Sequence, residues 1–278
     1  MNHRTVFFVS DQTGVTAETL GHSLLTQFDG LKFRGVTVPF INTPDKAKEC
    51  VRRINLTAEV EGSRPIVFAT MVQDDLRDIV AKSQGLVLDF FGAFIGPMER
   101  ELETPSSHAT GKAHGVADRR SYTRRIDAMN YALEHDDGAS TRDYSKAQLI
   151  LVGVSRSGKT PACLYIALRY GVYAANYPLT EEEFERGKLP APLERYKDRL
   201  FGLTIAPRRL QQIRHERRPE SNYASARQVS FELRSAEALF TRYGIGYLDT
   251  TECSVEEIAS TVLDRTGLLN RLQDLTDT

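Results

Sequence analysis

Residues 147–170 read AQLILVGVSRSGKTPACLYIALRY, and the rest of the chain is best understood as arranged around them. The run from Ala147 to Val152 is short, largely apolar and β-prone, and it stops at Gly153. Gly153 opens an octet that continues through Val154, Ser155, Arg156, Ser157, Gly158, Lys159 and Thr160. This is G-x-x-x-x-G-K-T, the phosphate-binding loop pattern set between a strand and a helix.

Each position has a physical task. Gly153 and Gly158 allow backbone angles closed to residues with a Cβ, so that successive N–H groups can turn inward around a phosphate. Lys159 brings a point charge to the terminal phosphate oxygens, and the Thr160 hydroxyl is a suitable Mg²⁺ ligand. The helix after the loop adds the positive end of its dipole, and Pro161 suits a first turn because its missing N–H is not needed there. The competing account is a Gly-rich strand-to-helix turn with no ligand. Average residue usage produces this pattern by chance in about one chain of this length in a hundred.

The 278 residues fit one large α/β domain or two of ordinary size, and 41% apolar content is enough for a proper core. A net charge of −1 offers no global basic field to recruit nucleic acid or an acidic membrane. Cys50, Cys163 and Cys253 are odd in number, far apart and without metal-ligand or C-x-x-C spacing, as expected of reduced cytosolic thiols. No apolar stretch has the length of a signal peptide core or a membrane span. A soluble cytoplasmic protein is expected.

Strand and helix patterns alternate along the chain, which predicts parallel sheets with right-handed crossovers. Strands are expected at Thr5 to Val9, Gly35 to Phe40, Ile66 to Ala69, Val172 to Tyr177, Arg199 to Ile205 and Tyr247 to Asp249, besides the one before the phosphate loop. Helices are expected from the polar loop after Ser10 to about Phe28, and at Pro44 to Glu61, Gln73 to Ser83, Pro207 to Arg218 and Ser225 to Tyr243. A further helix is expected over Arg119 to His135, with Tyr122, Ile126, Met129, Tyr131 and Leu133 buried and Arg124, Arg125 and Asp127 outside. Ser254 to Glu257 reads as a capping box opening a last helix to about Leu263. The fold class is α/β with parallel doubly wound sheets, an N-terminal Rossmann-like part over 1–103 and a phosphate-loop part over 118–278. Between them, residues 104–117 lose apolar periodicity and read as a linker or mobile active-site loop presenting His108, Lys112 and His114.

Several polar groups compete for a chemical role. Ser10, Asp11 and Thr13 follow the first strand, where open α/β sheets bind ligands, although the same residues could simply cap the next helix. Asp89 ends an apolar run, as a metal-binding aspartate does, or is a plain strand-end carboxylate. His135-Asp136-Asp137-Gly138 places two carboxylates at a helix C-terminus against the dipole, which Mg²⁺ binding or proton abstraction would explain and an exposed acidic turn would not need to. Arg208, Arg209, Arg214, Arg217 and Arg218 crowd one helix, either to hold phosphates or an acidic partner or merely as a solvated face.

Taken together, SDQTGVTAE (10–18), ALEHDDG (132–138), LVGVSRSGKTP (151–161), ANYPL (175–179) and LFGLTIAPRRLQQIRHERRPESNYASARQ (200–228) resemble the bacterial phosphoenolpyruvate synthase regulatory proteins. These belong to a wider family of dikinase regulators, and the resemblance spans essentially the whole chain. It implies a bifunctional enzyme that phosphorylates a threonine of the synthase with ADP, inactivating it. The same enzyme would remove that phosphate by inorganic-phosphate-dependent phosphorolysis, releasing pyrophosphate. The family's ADP segment maps onto Gly153 to Thr160 and its HDDG motif onto His135, Asp136, Asp137 and Gly138, all without departure.

On this reading Lys159 and Arg156 stabilise the transferring phosphate, and Thr160 helps hold Mg²⁺. Asp136 or Asp137, beside His135, serves as base or metal ligand, and Ser10, Asp11 and Thr13 form an opposite wall. The substrates are ADP and phosphate, the partner is the synthase, and chain size suggests a homodimer. One shared site and two separate ones both stay open. So do two rivals, a phosphate-loop kinase using ATP on a small metabolite and a non-catalytic ADP-sensing module.

Overall fold

The computed structural model describes residues 3–107, 119–219 and 221–274. The chain divides into two compact units, Met1–Gly115 and Val116–Thr278, each built on a sheet of four parallel strands. His108, Lys112 and His114 lie outside the described residues. Among those described, no helix is long and apolar enough to cross a membrane.

The first unit runs β1 (His3–Ser10), α1 (Val15–Leu25), β2 (Lys32–Val38), α2 (Pro44–Glu61), β3 (Ile66–Thr70), α3 (Asp74–Ala81), β4 (Leu86–Asp89) and α4 (Phe90–Glu101), with sheet order β2-β1-β3-β4. The period-2 alternation of β1 feeds two cores. Phe7 and Val9 pack with Ala47, Cys50 and Ile54 of α2 on one face, while Val6 and Phe8 meet Ala17 and Leu25 of α1 on the other. Thr43 caps α2, Pro44 opens it and Gly62 closes it at φ 58, the sequence signals that delimit this helix.

Helix α4 forms against local propensity. Gly92, Gly96 and Pro97 argue against a helix, yet one spans them without burying a single side chain. Asp89 belongs to this unit, where its carboxylate pairs with Arg77 at 3.4 Å.

The second unit runs α5 (Arg119–Glu134), β5 (Leu149–Gly153), α6 (Lys159–Tyr170), β6 (Ala174–Pro178), α7 (Glu181–Arg186), β7 (Leu200–Thr204), α8 (Pro207–Arg217), α9 (Ala226–Tyr243), β8 (Tyr247–Asp249), α10 (Val255–Arg265) and α11 (Leu268–Asp274). Its order is β6-β5-β7-β8. From β5 the chain passes to β6 on one side and then crosses to β7 on the other, so the sheet reverses direction beside the carboxyl end of β5. In open α/β sheets such a switch point is where ligands bind. Strand β5 is buried throughout: Leu149 and Leu151 pack on α6 and α10, and Ile150 and Val152 on α9. The expected capping box forms at Ser254 and Glu257.

Helix α5 corrects the expected pattern. Tyr122 and Leu133 are exposed at 50% and 56%, and the buried stripe is Ala128, Tyr131, Ala132 and His135. The two alanines allow close approach to α6, which a search for large apolar residues overlooks. Arg124, expected outside, is half-buried, and its Nε donates to the carbonyl of Gly171 at 3.0 Å.

Candidate active site

The turn from β5 into α6 wraps tightly. Gly153 has φ 155, and a Cβ there would lie 2.3 Å from the Leu203 carbonyl oxygen on β7, so only glycine fits. Arg156 (φ 77) and Gly158 (φ 91) both adopt left-handed backbone, which turns the segment back on itself before α6 begins. Ser157 Oγ and Lys159 Nζ both donate to the Val154 carbonyl, at 3.0 and 2.9 Å. Thr250 Oγ1 ties the far side by donating to the Ser157 carbonyl at 3.1 Å.

Lys159 is buried to 3% exposure at the first turn of α6. Burial pulls its ammonium down from 10.5 to about 8; the carboxylate of Asp137, the thiol of Cys163 and the carboxylate of Asp136 oppose the fall, and Arg214 adds to it. A desolvated ammonium at the first turn of a helix favours an approaching anion.

The acidic pair enters from the other end of the unit. After α5, residues 136–138 form a 3-10 turn in which Asp137 (φ 48) and Gly138 (φ 69) are left-handed. The ring of Tyr177 lies 3.2 Å from where a Cβ on Gly138 would stand. This turn brings Asp136 onto the phosphate loop: Thr160 Oγ1 donates to Asp136 Oδ1 at 2.7 Å. The same oxygen accepts from Asn176 Nδ2 at 2.6 Å, and Asn176 Oδ1 accepts from the backbone N–H of Asp137 at 3.0 Å. Asp137 itself is exposed.

Two of the sequence motifs therefore meet, joined through Asn176 of β6. His135 contributes mainly its backbone, whose carbonyl accepts from Asn176 N at 3.3 Å. Its ring is 2% exposed, stacks on Tyr131 at 4.0 Å and approaches the Tyr131 carbonyl at 2.8 Å through Nδ1. Arg156 is exposed on the loop. Ser10, Asp11 and Thr13 lie in the first unit, at the carboxyl end of β1. There Ser10 Oγ donates to the Thr70 carbonyl at 3.2 Å and Asp11 Oδ2 accepts from Val72 N at 2.8 Å, bonds that brace the crest of that sheet.

Among the described residues no group of three or more His, Cys, Asp or Glu side chains is placed to hold a metal ion. The donor set of Asp136, Asp137 and the Thr160 hydroxyl still suits Mg²⁺, which typically takes one or two carboxylates and leaves its other positions to water and substrate phosphates.

Asn176 is the site residue that the motifs do not point to, although it sits inside ANYPL. A polar residue after two alanines in a buried parallel strand needs partners, and that is the available signal. The arginines of α8 look alike in sequence, but Arg214 is 0% exposed while Arg208, Arg209, Arg217 and Arg218 are exposed.

Residues 6–263 match the model of a family described as kinase/pyrophosphorylase. Among curated relatives, a protein of Stutzerimonas stutzeri is 53% identical over 270 residues, covering 97% of this chain and 99% of its own length. One of Marinobacter nauticus is 52% identical over 265 residues, covering 95% and 98%. One of Pseudomonas aeruginosa is 53% identical over 270 residues, covering 97% and 98%. All three carry the name "Putative phosphoenolpyruvate synthase regulatory protein". With a family match over residues 6–263 and relatives more than half identical nearly end to end, the chain belongs to the kinase/pyrophosphorylase family.

Proposed function

We propose that this protein regulates phosphoenolpyruvate synthase by phosphorylating one of its threonines with ADP and by removing that phosphate through phosphorolysis with inorganic phosphate. The observation that carries this reading is the 2.7 Å hydrogen bond from Thr160 of the phosphate loop to Asp136 of the acidic turn. It joins the segment with the phosphate-binding pattern to the acidic turn, and phosphoryl transfer needs little beyond alignment and charge stabilisation.

In the forward transfer the threonine oxygen bonds to the β-phosphorus of ADP, the bridging P–O bond breaks, and AMP leaves with the electron pair. Loop amides and Lys159 hold the phosphates. Asp136 Oδ1 is already engaged by Thr160 Oγ1 and Asn176 Nδ2. Asp137, exposed beside it, takes the hydroxyl proton. In phosphorolysis an oxygen of inorganic phosphate bonds to the phosphothreonine phosphorus, the threonine oxygen leaves and recovers a proton, and pyrophosphate forms. Asp136 and Thr160 would hold a divalent cation, which would offset the charge of the phosphate oxygens.

The test incubates the protein with synthase charged by phosphoenolpyruvate and with ADP labelled in the β-phosphate. Labelled synthase threonine, released as labelled pyrophosphate on adding inorganic phosphate, is expected. Label confined to small molecules would point instead to a metabolite kinase, and ADP binding without any transfer to a sensing module.

A further inference from the structure

The turn from β5 into α6 is gripped by a charged residue that lies in neither that turn nor the acidic turn. Arg214 of α8 is fully buried, and its Nη2 donates to the backbone carbonyl of Ser155, the third loop residue, at 3.1 Å. The same nitrogen donates to Glu232 Oε2 of α9 at 2.7 Å, and Nη1 donates to the Tyr223 carbonyl at 3.0 Å. The guanidinium lies 4.1 Å from the centre of the Tyr223 ring, and the Tyr223 hydroxyl is 2.9 Å from Ser155 Oγ. Ser155 is thus held twice, once by its main chain and once by its side chain.

Several features show that this grip is directed at the loop. Immediately after Ser155 the backbone turns left-handed at Arg156, a conformation that a residue with a Cβ resists and that needs support from outside. Three acceptors around one planar head demand a fork, which lysine does not provide. Arg214 Nε is buried with no hydrogen-bond partner among the described residues, so the guanidinium is oriented by its other contacts and not by full satisfaction of its own donors.

We propose that Arg214 is a positioning residue that sets the phosphate loop through Ser155, with Tyr223 as the second arm of the clamp and Glu232 as the anchor of the charge. The proposal rests on the reading of residues 153–160 as a nucleotide phosphate site. It places the control of loop shape on α8, α9 and the turn between them, outside residues 153–160 and 135–138.

Arg214→Lys removes the fork but endangers folding, because Glu232 is left with a poorer partner. Tyr223→Phe is milder, losing only the hydroxyl that meets Ser155 Oγ while keeping the ring beneath the guanidinium. ADP affinity by calorimetry should fall about fivefold in Tyr223→Phe and in Ser155→Ala, with the double variant no worse than either, since one lost hydrogen bond accounts for all three. Thermal midpoints should stay within about 5 °C of wild type, which separates positioning from general damage. Wild-type affinity in Tyr223→Phe, or losses that multiply in the double variant, would overturn the proposal. Amide exchange of residues 154–158 in the free protein supplies an arm that does not depend on ADP. Faster exchange there in both single variants, with α6 and α9 unchanged, supports the clamp, and unchanged exchange refutes it. Failure of the wild-type protein to bind ADP would count against the nucleotide reading alone.

Discussion

Raising the pH above 8 should weaken ADP binding through the side chain of Lys159. Burial lowers its ammonium from 10.5 to about 8, which makes the charged form in the folded protein less favourable by about 3 kcal/mol than in the unfolded chain. Between these two values the unfolded chain carries more protons, so this group alone makes folding stability rise with pH across that window. Binding has the opposite sign. A diphosphate against the ammonium raises its pKa, so the complex holds a proton that the free protein has begun to lose. Affinity should therefore be level near pH 7.5 and fall above 8, by up to about tenfold per pH unit until the complex itself titrates. Asp137 is the strongest of the groups holding the ammonium up, so Asp137→Asn should move the onset to lower pH. Calorimetric titration with ADP from pH 7.5 to 9.5 at fixed ionic strength tests both statements. Level wild-type affinity across that range, or the same onset in Asp137→Asn, would refute the assignment of Lys159 as the titrating phosphate contact.

Other perturbations have outcomes fixed by geometry. Asp136→Ala strips the acceptor from Thr160 Oγ1 and from Asn176 Nδ2, and Asn176 is 0% exposed. A loss of about 2–3 kcal/mol in urea unfolding is expected, together with loss of transfer. Gly153→Ala drives a Cβ to 2.3 Å from the Leu203 carbonyl, so β5 and β7 must separate. It should cost about 2–3 kcal/mol by the same measurement and abolish ADP binding. Of the three cysteines, Cys50 and Cys163 are buried, and desolvation pushes the Cys50 thiol up to about 11 and that of Cys163 higher still. A thiol reagent should label Cys253 in native protein and the other two after denaturation.

Much of this architecture is legible in the sequence because local signals agree with it. The turn from β5 into α6, the Ser254–Glu257 capping box and the Thr43-Pro44 to Gly62 frame of α2 are specified by residues that act within one turn of themselves. The parallel sheets follow from alternation of patterns. Features set by contacts between distant segments are harder to see. Helix α4 forms across Gly92, Gly96 and Pro97, where propensity points elsewhere, and the inner face of α5 is decided by alanines whose value lies in what they let approach. The acidic turn stands out by its conflict with the helix dipole, but its bond to Thr160 depends on a crossing of chain segments that no local pattern encodes. Arg214 is hidden among four exposed arginines of the same neighbourhood, and only burial tells them apart.

The position of Asp136 has a consequence for how this enzyme can vary. Although the residue comes after α5 in the chain, its carboxylate is located by Asn176 on β6 and by Thr160 at the start of α6. The connection that leads on to β5 need not act as a ruler. Extra residues at 140–142, where Ser140 and Thr141 are half-buried and Arg142 is exposed, should lengthen that link without displacing the acid. A register slip of β6 by one residue would instead turn Asn176 to the opposite face and leave the acid with no fixed address.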